Sequence, residues 1–427
     1  MPQQTSDGHG PTLVYANFVS DLALGLEASE VLDRWAEQAP RKMWLLGPGD
    51  VLLTPVPLSA AFHRYAAQLL AVCPEEMTAV VVPPRPGASM ADAVRGAGLM
   101  DRIRELAQER PGIALLPTAL DSSSVGFARE VGVPVAPYGT SGPTTQALRV
   151  VSSLNTKSGF RDIASTLGMR VPQGVVCRHA DLRTHVEEMV EKYGEVVLKP
   201  DRSAGGHGMS FLSATQSQLP VAGPGLDGLW VVEERLEVAH SVSIQFSTGP
   251  RGSVMAYSGE MRTKEGSFIG YEAPLRGLAA TAADELEQWG TKLGDHLAHH
   301  GYAGPFSLDA VVTHDGTLFA NESNVRRTAT TTPHAMVTRL ARAAGLERPA
   351  WLLGRGRSAK TYTFMEAVRL LEDSELAWSR ERREGVVFYM DEPVDGHTWR
   401  YAVISGPEDG RPAALEARLA QAMAFED

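Results

Sequence analysis

A chain of 427 residues, of which 43% are hydrophobic and 21% charged, is long enough for two or three packed lobes and has the composition of a soluble globular protein. The formal net charge of -11 argues against a nucleic-acid backbone as the main partner, and no apolar run reaches the roughly 18 residues that a membrane span needs. The first ten residues are polar and lack the basic and apolar regions of a signal peptide, so we expect a cytoplasmic protein.

The first third of the chain, residues 1–146, alternates short apolar runs with segments of helical periodicity. Strands are predicted in "PTLVYANFV", "KMWLLGPGDVLLTP", "MTAVVVPP" and "GIALLP", and helices in "GLEASEVLDRWAEQA", "LSAAFHRYAAQLLAV" and "MADAVRGAGLMDRIRELAQER". This alternation predicts an α/β lobe with a parallel sheet. Gly47-Pro48-Gly49 follows a strand but lacks the third glycine of a GxGxxG motif, so a turn is favoured over a phosphate-binding loop.

The pattern changes over residues 147–348, where strands outnumber helices. Helices are predicted in "TKSGFRDIASTLGM", in "DLRTHVEEMVEKYG", with Asp181 as its N-cap, and in "AADELEQWGTKLGDHLAHH". The strands "EVVLKP" and "MSFL" bracket a glycine-rich loop, which predicts a hairpin-like flap that could close over a site. Residues 349–427 form a small α+β segment, with helices in "TYTFMEAVRLLEDSEL" and "PAALEARLAQAMA" and strands in "EGVVFYMD" and "TWRYAVISG". The predicted class is therefore α/β with α+β lobes.

Lysine is scarce in this chain, so a lysine next to the glycine loop stands out. Lys199 precedes a run of small residues that includes Ser203, Gly205, Gly206 and Gly208. Backbone N–H groups of such a run can approach phosphate oxygens while the lysine supplies a positive charge. The chain contains no GxxxxGK[ST] P-loop, and a flexible surface turn would have a similar composition, so the loop alone leaves both interpretations open.

A stronger signal lies in the strand pair "PFSLDAVVTHDGTLFANESN". Asp315-Gly316 predicts a tight hairpin turn, and pairing across it brings Asp309 opposite Glu322 and Asn324, which share a face because they are two residues apart. Three oxygen-bearing side chains then converge, as expected of a Mg²⁺ site. The alternative is a solvated acidic face, against which the apolar neighbours argue burial.

Together these motifs resemble the ATP-grasp superfamily of carboxylate–amine ligases over roughly residues 155–336. The resemblance implies an ATP-grasp fold with an N-terminal pre-ATP-grasp lobe, and ATP and Mg²⁺ as cofactors. It implies that Lys157 and Lys199 contact phosphate, and that Glu233 and the backbone of Leu236, in "VVEERLE", hold the adenine. The glycine loop would cover the phosphates, and the Asp, Glu-x-Asn set would bind the metal.

The resemblance also assigns Arg326, two residues after Asn324, to a substrate carboxylate or a developing oxyanion. His240 stands where many members of the superfamily have a glutamate for the ribose hydroxyls, so ribose recognition would be altered here. Lys264 lies in a loop that could reach the triphosphate, or could be a solvated charge. The D-alanine ligase branch of the superfamily has an arginine where Ser307 stands, two residues before the metal-binding aspartate. The resemblance implies that Arg326, Arg327 or Arg262 would have to supply that charge.

The segments "NESNVRRTATTTPHAM", "DRSAGGHGMSFL" and "TLVYANF" resemble a narrower group, the peptide ligases of the pheganomycin type. This resemblance implies natural-product biosynthesis in which a small nonproteinogenic carboxylic acid is activated as an acyl phosphate and joined to the N-terminal amine of a peptide. A ligase that makes dipeptides from free amino acids and a non-catalytic nucleotide-binding regulator stay open as alternatives. Many relatives are homodimers, and the oligomeric state is open as well.

Overall fold

The first lobe is built on a parallel sheet. The computed structural model describes residues 10–18, 20, 22, 36–203, 205–215, 219, 228–264 and 266–426. Four strands lie in the order β3-β2-β1-β4, all parallel, as predicted. The elements are β1 (Thr12–Tyr15), β2 (Val51–Thr54), α1 (Ala60–Leu70), β3 (Thr78–Val81), α2 (Met90–Gly96), α3 (Met100–Gln108), β4 (Ala114–Pro117) and α4 (Ser122–Val131). The helix predicted in "GLEASEVLDRWAEQA" lies almost wholly outside the described residues.

Two predictions for this lobe are wrong in detail. The strand predicted in "KMWLLGPGDVLLTP" starts only at Val51, because Ala39–Leu45 forms a 3₁₀ helix. Pro40 favours that helix, since its fixed φ suits a first turn in which no N–H is needed. The single helix predicted over residues 90–110 is split in two, because Gly98 adopts a φ of +69°, which no α-helix accommodates.

The second sheet is antiparallel, with the strand order β5-β8-β6-β7. Its elements and the preceding helices are α5 (Thr145–Leu154), α6 (Lys157–Thr166), β5 (Gly174–Arg178), α7 (Leu182–Tyr193), β6 (Glu195–Pro200), β7 (Ser210–Ser213) and β8 (Leu229–Glu234). Pairing of β6 with β7 confirms the hairpin around the glycine loop. The predicted Asp181 cap is wrong: its side chain makes no capping hydrogen bond, because a 3₁₀ turn over His179–Asp181 already runs into α7.

The third sheet has eight described strands and contains the acidic hairpin. Its order is β13-β12-β9-β10-β11-β14-β16-β15, with antiparallel pairing throughout. The elements are β9 (Val238–Gly249), β10 (Gly252–Lys264), β11 (Ser267–Ala273), α8 (Ala280–His299), β12 (Gly304–Thr313), β13 (Leu318–Asn324), α9 (Thr331–Ala343), β14 (Ala350–Arg357), α10 (Phe364–Asp373), β15 (Gly385–Phe388), β16 (Thr398–Ser405) and α11 (Arg411–Met423). The C-terminal strands β14, β15 and β16 thus extend this eight-stranded sheet, which we call the central sheet. The three-part division of the chain stays a prediction.

The two faces of β9 and β12 differ in polarity, and this difference positions the site. Val242, Ile244 and Phe246 point to one face and are buried in a core that includes Leu286 and other apolar residues of α8. Helix and sheet approach closely because α8 carries Gly290, where a Cβ atom would lie 2.3 Å from Cε2 of Phe246. The opposite face is therefore left to the alternate, polar side chains. No helix among the described residues is long and apolar enough to cross a membrane.

Candidate functional site

Two rows of polar side chains cross the central sheet. In the first row Ser243 of β9, Asp309 of β12 and Glu322 of β13 are register partners. In the second, two residues along, Ser307 pairs with both Gln245 and Asn324. The strands alternate, so all six side chains occupy one face. The predicted pairing of Asp309 with Glu322 and Asn324 is thus what the structure shows.

A β-bulge adds a side chain that simple alternation does not foresee. Asp309 pairs with Glu322 but Ala310 pairs with Ala320, so Asn321 is the extra residue in β13. The consecutive side chains of Asn321 and Glu322 each reach a lysine: Lys199 Nζ donates to Asn321 Oδ1 (2.7 Å), and Lys157 Nζ lies 3.7 Å from Glu322 Oε2. The bulge therefore links the acidic hairpin to both lysines.

Asp309 is the most electrostatically perturbed acid of the site. Its side chain is nearly buried, with 8% of the residue exposed, and accepts hydrogen bonds from Ser243 Oγ (2.6 Å) and Asn324 Nδ2 (3.0 Å). Burial, and then the nearby charge of Glu322, raise the pKa of Asp309 to about 7, which the hydrogen bonds only partly offset. Two neighbouring carboxylates and an amide oxygen are the kind of ligands that a hard cation such as Mg²⁺ prefers.

The proposed metal ligands include only two carboxylates. Among the described residues, no group of three or more His, Cys, Asp or Glu side chains converges to hold a metal. A site of two carboxylates and one amide leaves room for other oxygen ligands, which is how Mg²⁺ is commonly bound beside phosphates.

The two lysines predicted to contact phosphate lie beside this acidic pair. Lys157 is the first residue of α6, and Thr156 caps this helix by accepting a hydrogen bond from the Gly159 N–H. Nζ of Lys157 donates a hydrogen bond to Ser203 Oγ (2.9 Å). Burial lowers the pKa of Lys157, Glu322 opposes the change, and the charges of Lys199 and Arg326 add to it. Three cations, Lys157, Lys199 and Arg326, thus lie close enough to affect one another's charge, an arrangement that suits a polyanion.

Glu233 anchors the second lysine instead of standing free. Its buried carboxylate forms an ion pair with Lys199 Nζ and another with Arg161 Nη1 (2.9 Å). The three side chains come from β8, β6 and α6. This network therefore ties the antiparallel four-stranded sheet of β5 to β8, which we call the small sheet, to the helix that carries Lys157. Leu236, the second predicted adenine contact, is half-buried in the connection between β8 and β9.

The glycine loop meets the β10–β11 turn. Gly205, Gly206 and Gly208 all have φ values near +60° to +80°, which favour glycine. A Cβ atom on Gly206 would lie 2.8 Å from the carbonyl oxygen of Gly266, so the two turns pack backbone to backbone. Lys264 is exposed two residues before this contact. The loop therefore lies between Lys157, through Ser203, and the tip of a neighbouring hairpin.

Of the two remaining predicted residues, Arg326 contacts the acidic set and His240 does not. Arg326 is half-buried, desolvation lowers its pKa, and its guanidinium donates to Asn324 Oδ1 (2.6 Å) and to Asn155 Oδ1. It is thus attached to the acidic set through Asn324. His240 is partly exposed, with Nδ1 2.9 Å from Glu260 Oε1, and no pairing brings it to Asp309.

Sequence reasoning missed several polar residues of the site. Asn155 lies two residues before Lys157 and contacts Arg326, and Ser243 and Gln245 supply the β9 side of the polar face. Alternating polar residues within "SVSIQF" could have indicated a polar inner face there. Asn321 and Arg161 gave no such signal, because a bulge and an ion pair between a helix and a distant strand both depend on tertiary structure.

Comparisons with known proteins support the fold. Residues 39–133 match the family described as the Pre ATP-grasp domain, and residues 366–406 match the PGM1 C-terminal domain. A search of curated proteins gave no match. Several solved structures are similar along nearly the whole chain, at sequence identities too low to show more than the fold.

One such structure is an N5-carboxyaminoimidazole ribonucleotide synthetase from Thermus thermophilus, with a TM-score of 0.59 and 17% identity over 96% of this chain and 99% of that one. A second is N5-carboxyaminoimidazole synthase from Aspergillus clavatus in complex with ADP and 5-aminoimidazole ribonucleotide, with a TM-score of 0.59 and 12% identity over 97% of this chain and 99% of that one. A third is the β,γ-ATP complex of biotin carboxylase from Campylobacter jejuni, with a TM-score of 0.60 and 13% identity over 98% of this chain and 92% of that one. The predicted ATP-grasp fold with a pre-ATP-grasp lobe is thereby confirmed.

Proposed function

We propose that this chain is an ATP-dependent carboxylate–amine ligase that joins a small carboxylic acid to the N-terminal amine of a peptide, in natural-product biosynthesis. The observation that carries the proposal is the convergence of Asp309, Glu322 and Asn324 with Lys157 and Lys199 on one face of the central sheet. Support for a nucleotide comes from the fold, since similar structures are complexes with ADP or with ATP. The peptide acceptor rests on the sequence resemblance alone.

The acidic set fits a magnesium ion on the chemistry of its donors. Burial, and then the nearby charge of Glu322, raise the pKa of Asp309, and a divalent cation would compensate both carboxylates. Asp309, Glu322 and Asn324 would hold the ion. When bound, Mg²⁺ neutralises negative charge on the phosphates and makes phosphoryl transfer easier.

The lysines and the flap would hold the triphosphate. Lys157 and Lys199 are bonded to groups that a phosphate could replace, namely Ser203 in the loop and Asn321 in the bulge. Backbone N–H groups of Gly205, Gly206 and Gly208 would then approach phosphate oxygens. We assign the adenine to Glu233 and the backbone of Leu236, the ribose to His240, and an outer phosphate contact to Lys264.

The reaction follows from the poor reactivity of an ionised carboxylate. A carboxylate oxygen of the acid attacks the γ-phosphorus of ATP, and ADP leaves with the electron pair of the broken bond. The amine nitrogen then attacks the acyl carbon, phosphate departs, and the amine loses a proton as the amide forms. Arg326 would hold the carboxylate and the oxyanion that develops on it, a bidentate role suited to a guanidinium. The flap would exclude water, which would otherwise hydrolyse the acyl phosphate.

The test is ADP release with ATP and Mg²⁺ across a panel of acids, free amino acids and short peptides. The control is Asp309→Ala, which removes one proposed metal ligand. Turnover that needs both an acid and a peptide amine, and that is lost in Asp309→Ala, would support the peptide ligase. Turnover with free amino acids alone would replace it by a dipeptide ligase, and nucleotide binding without turnover in any mixture would favour the regulator.

A further inference from the structure

A cluster of buried cations lies next to the candidate site and has no part in the chemistry above. Arg41 and Lys42, in the Ala39–Leu45 3₁₀ helix, are 2% and 0% exposed. Lys42 Nζ donates to Thr332 Oγ1 (3.1 Å), and Arg41 Nη1 lies 3.5 Å from the carbonyl oxygen of Ala329. Nε and Nη2 of Arg41 are buried with no hydrogen-bond partner among the described residues.

No carboxylate pairs with these cations in the described part of the chain, and only Tyr389 and Tyr302 oppose the fall in the pKa of Arg41 and Arg327. The ion pairs found there involve none of Arg41, Lys42 and Arg327, although burial and mutual repulsion lower the pKa of Lys42. Arg327 contributes to that repulsion, and Arg400 acts in the same sense on Arg41. Burying several like charges without a counter-ion is strongly unfavourable, so such a cluster is expected where an anion binds.

The cluster borders the metal face but shares no residue with it. Residues 328–332 form the turn that leads into α9, and Thr328 on this turn faces the sheet, with its Oγ1 3.5 Å from Gln245 Oε1. Arg41 and Lys42 contact the same turn from the first lobe. Arg327 donates to the carbonyl oxygen of Pro117 (2.8 Å) at the carboxyl end of β4, the edge of a parallel sheet where ligands commonly bind.

An aromatic ring covers the two innermost cations. The Phe18 ring centroid lies 4.7 Å from Arg41 Cζ and 5.8 Å from Lys42 Nζ. Phe18 follows β1, so it too is at the carboxyl edge of the parallel sheet. A cation–π contact is a weak substitute for an anion, and a ligand would reach the cations by displacing this side chain. Arg326 and Arg327 both line a small cavity at the same edge, together with Thr118, Tyr138 and Tyr302.

We propose that Arg41, Lys42 and Arg327 bind a non-reacting carboxylate of a substrate, distinct from the carboxylate that Arg326 is proposed to hold. The identity of the ligand as a substrate rests on the proposed ligase function. A carboxylate fits because a guanidinium binds it with two parallel hydrogen bonds, which would satisfy the two orphaned nitrogens of Arg41. One substrate would then carry a carboxylate that takes no part in the reaction, as the C-terminus of a short peptide or amino acid does.

The test measures binding of succinate to the full chain without nucleotide, by thermal shift and calorimetry at matched ionic strength. We expect saturable stabilisation of the wild type. In Arg41→Met and Lys42→Met the apparent Kd should rise about tenfold or more, the effect of losing one charge-assisted hydrogen bond. Both variants should also melt above the wild type without succinate, because each removes an unpaired buried charge. Arg64→Met, an exposed change on α1, should match the wild type.

A second variant keeps the cations and guards against loss of fold. Phe18→Ala should lower the apparent Kd for succinate, because it removes the covering ring. Wild-type affinity in Arg41→Met and Lys42→Met, or no saturable stabilisation of the wild type and Phe18→Ala, would overturn the proposal. Tighter binding of inorganic phosphate than of succinate, lost in the same variants, would overturn the carboxylate assignment. These measurements need no turnover, so failure of the ligase assay alone would leave them decisive for the anion site.

Discussion

Replacing Asp309 by asparagine is expected to stabilise the metal-free protein at pH 8. Folding raises the pKa of Asp309 from 3.8 to about 7. Between these two pH values the folded protein therefore holds a proton that the unfolded chain has already released. Stability from this group is therefore lost as the pH rises from about 4 to about 7. Each pKa unit corresponds to about 1.4 kcal/mol, so the loss is at most about 4 kcal/mol. Asparagine keeps the shape of the side chain and cannot ionise.

The assay is urea unfolding of the wild type and Asp309→Asn in EDTA at pH 5 and pH 8. We expect the variant to gain on the wild type between these two values, and MgCl₂ to stabilise the wild type more than the variant. Asp315→Asn is the matched control in the same hairpin, since Asp315 is exposed and hydrogen bonds from Thr313 and Thr317 lower its pKa. Parallel pH profiles for the wild type and Asp309→Asn would refute the reasoning that Asp309 is held as a strained, buried acid.

Three further substitutions probe the proposed nucleotide site. Lys199→Met should weaken ATP binding about tenfold or more in a calorimetric titration, through loss of a charge-assisted contact with phosphate, and unchanged affinity would remove Lys199 from the site. Gly206→Ala should lower turnover far more than Gly205→Ala, because both bear the left-handed penalty of about 1–2 kcal/mol but only Gly206 would also press a Cβ against the Gly266 carbonyl. Equal rates for the two would argue against close packing of the loop. Arg326→Lys should reduce turnover while leaving ATP affinity within about twofold, since lysine lacks the bidentate fork; loss of ATP affinity would place Arg326 on the nucleotide instead.

The polar network explains how the lobes could act together. Lys199 lies on the small sheet, but its partners Glu233 and Asn321 belong to the small and central sheets respectively. Lys157 similarly joins the loop at Ser203 to Glu322 of the central sheet. A polyanion bound between Lys157 and Lys199 would therefore contact groups from the loop, the small sheet and the central sheet together.

Several features were determined by the sequence alone, because they are local. The Asp315-Gly316 turn set the register of β12 and β13, and alternation then placed Asp309 opposite Glu322. The glycine loop was recognisable from its run of glycines, which are the residues that favour the positive φ angles found there. The parallel sheet was recognisable because apolar strands alternate with helices. Lys199 was singled out by its position before the glycine loop, whereas Lys157 was identified only through the resemblance to the ATP-grasp superfamily.

Other features were decided only by tertiary structure, because they arise from packing between distant segments. The extra residue Asn321 depends on how β13 pairs with β12, which a period of two cannot express. Lys199 meets Glu233 only once β6 pairs with β8, and Arg161 reaches the same carboxylate only once α6 packs against that sheet. Arg41 and Lys42 look like ordinary surface cations in the sequence, and only folding buries them against the turn before α9. Charge in a sequence is local, whereas desolvation of that charge is a property of the whole fold.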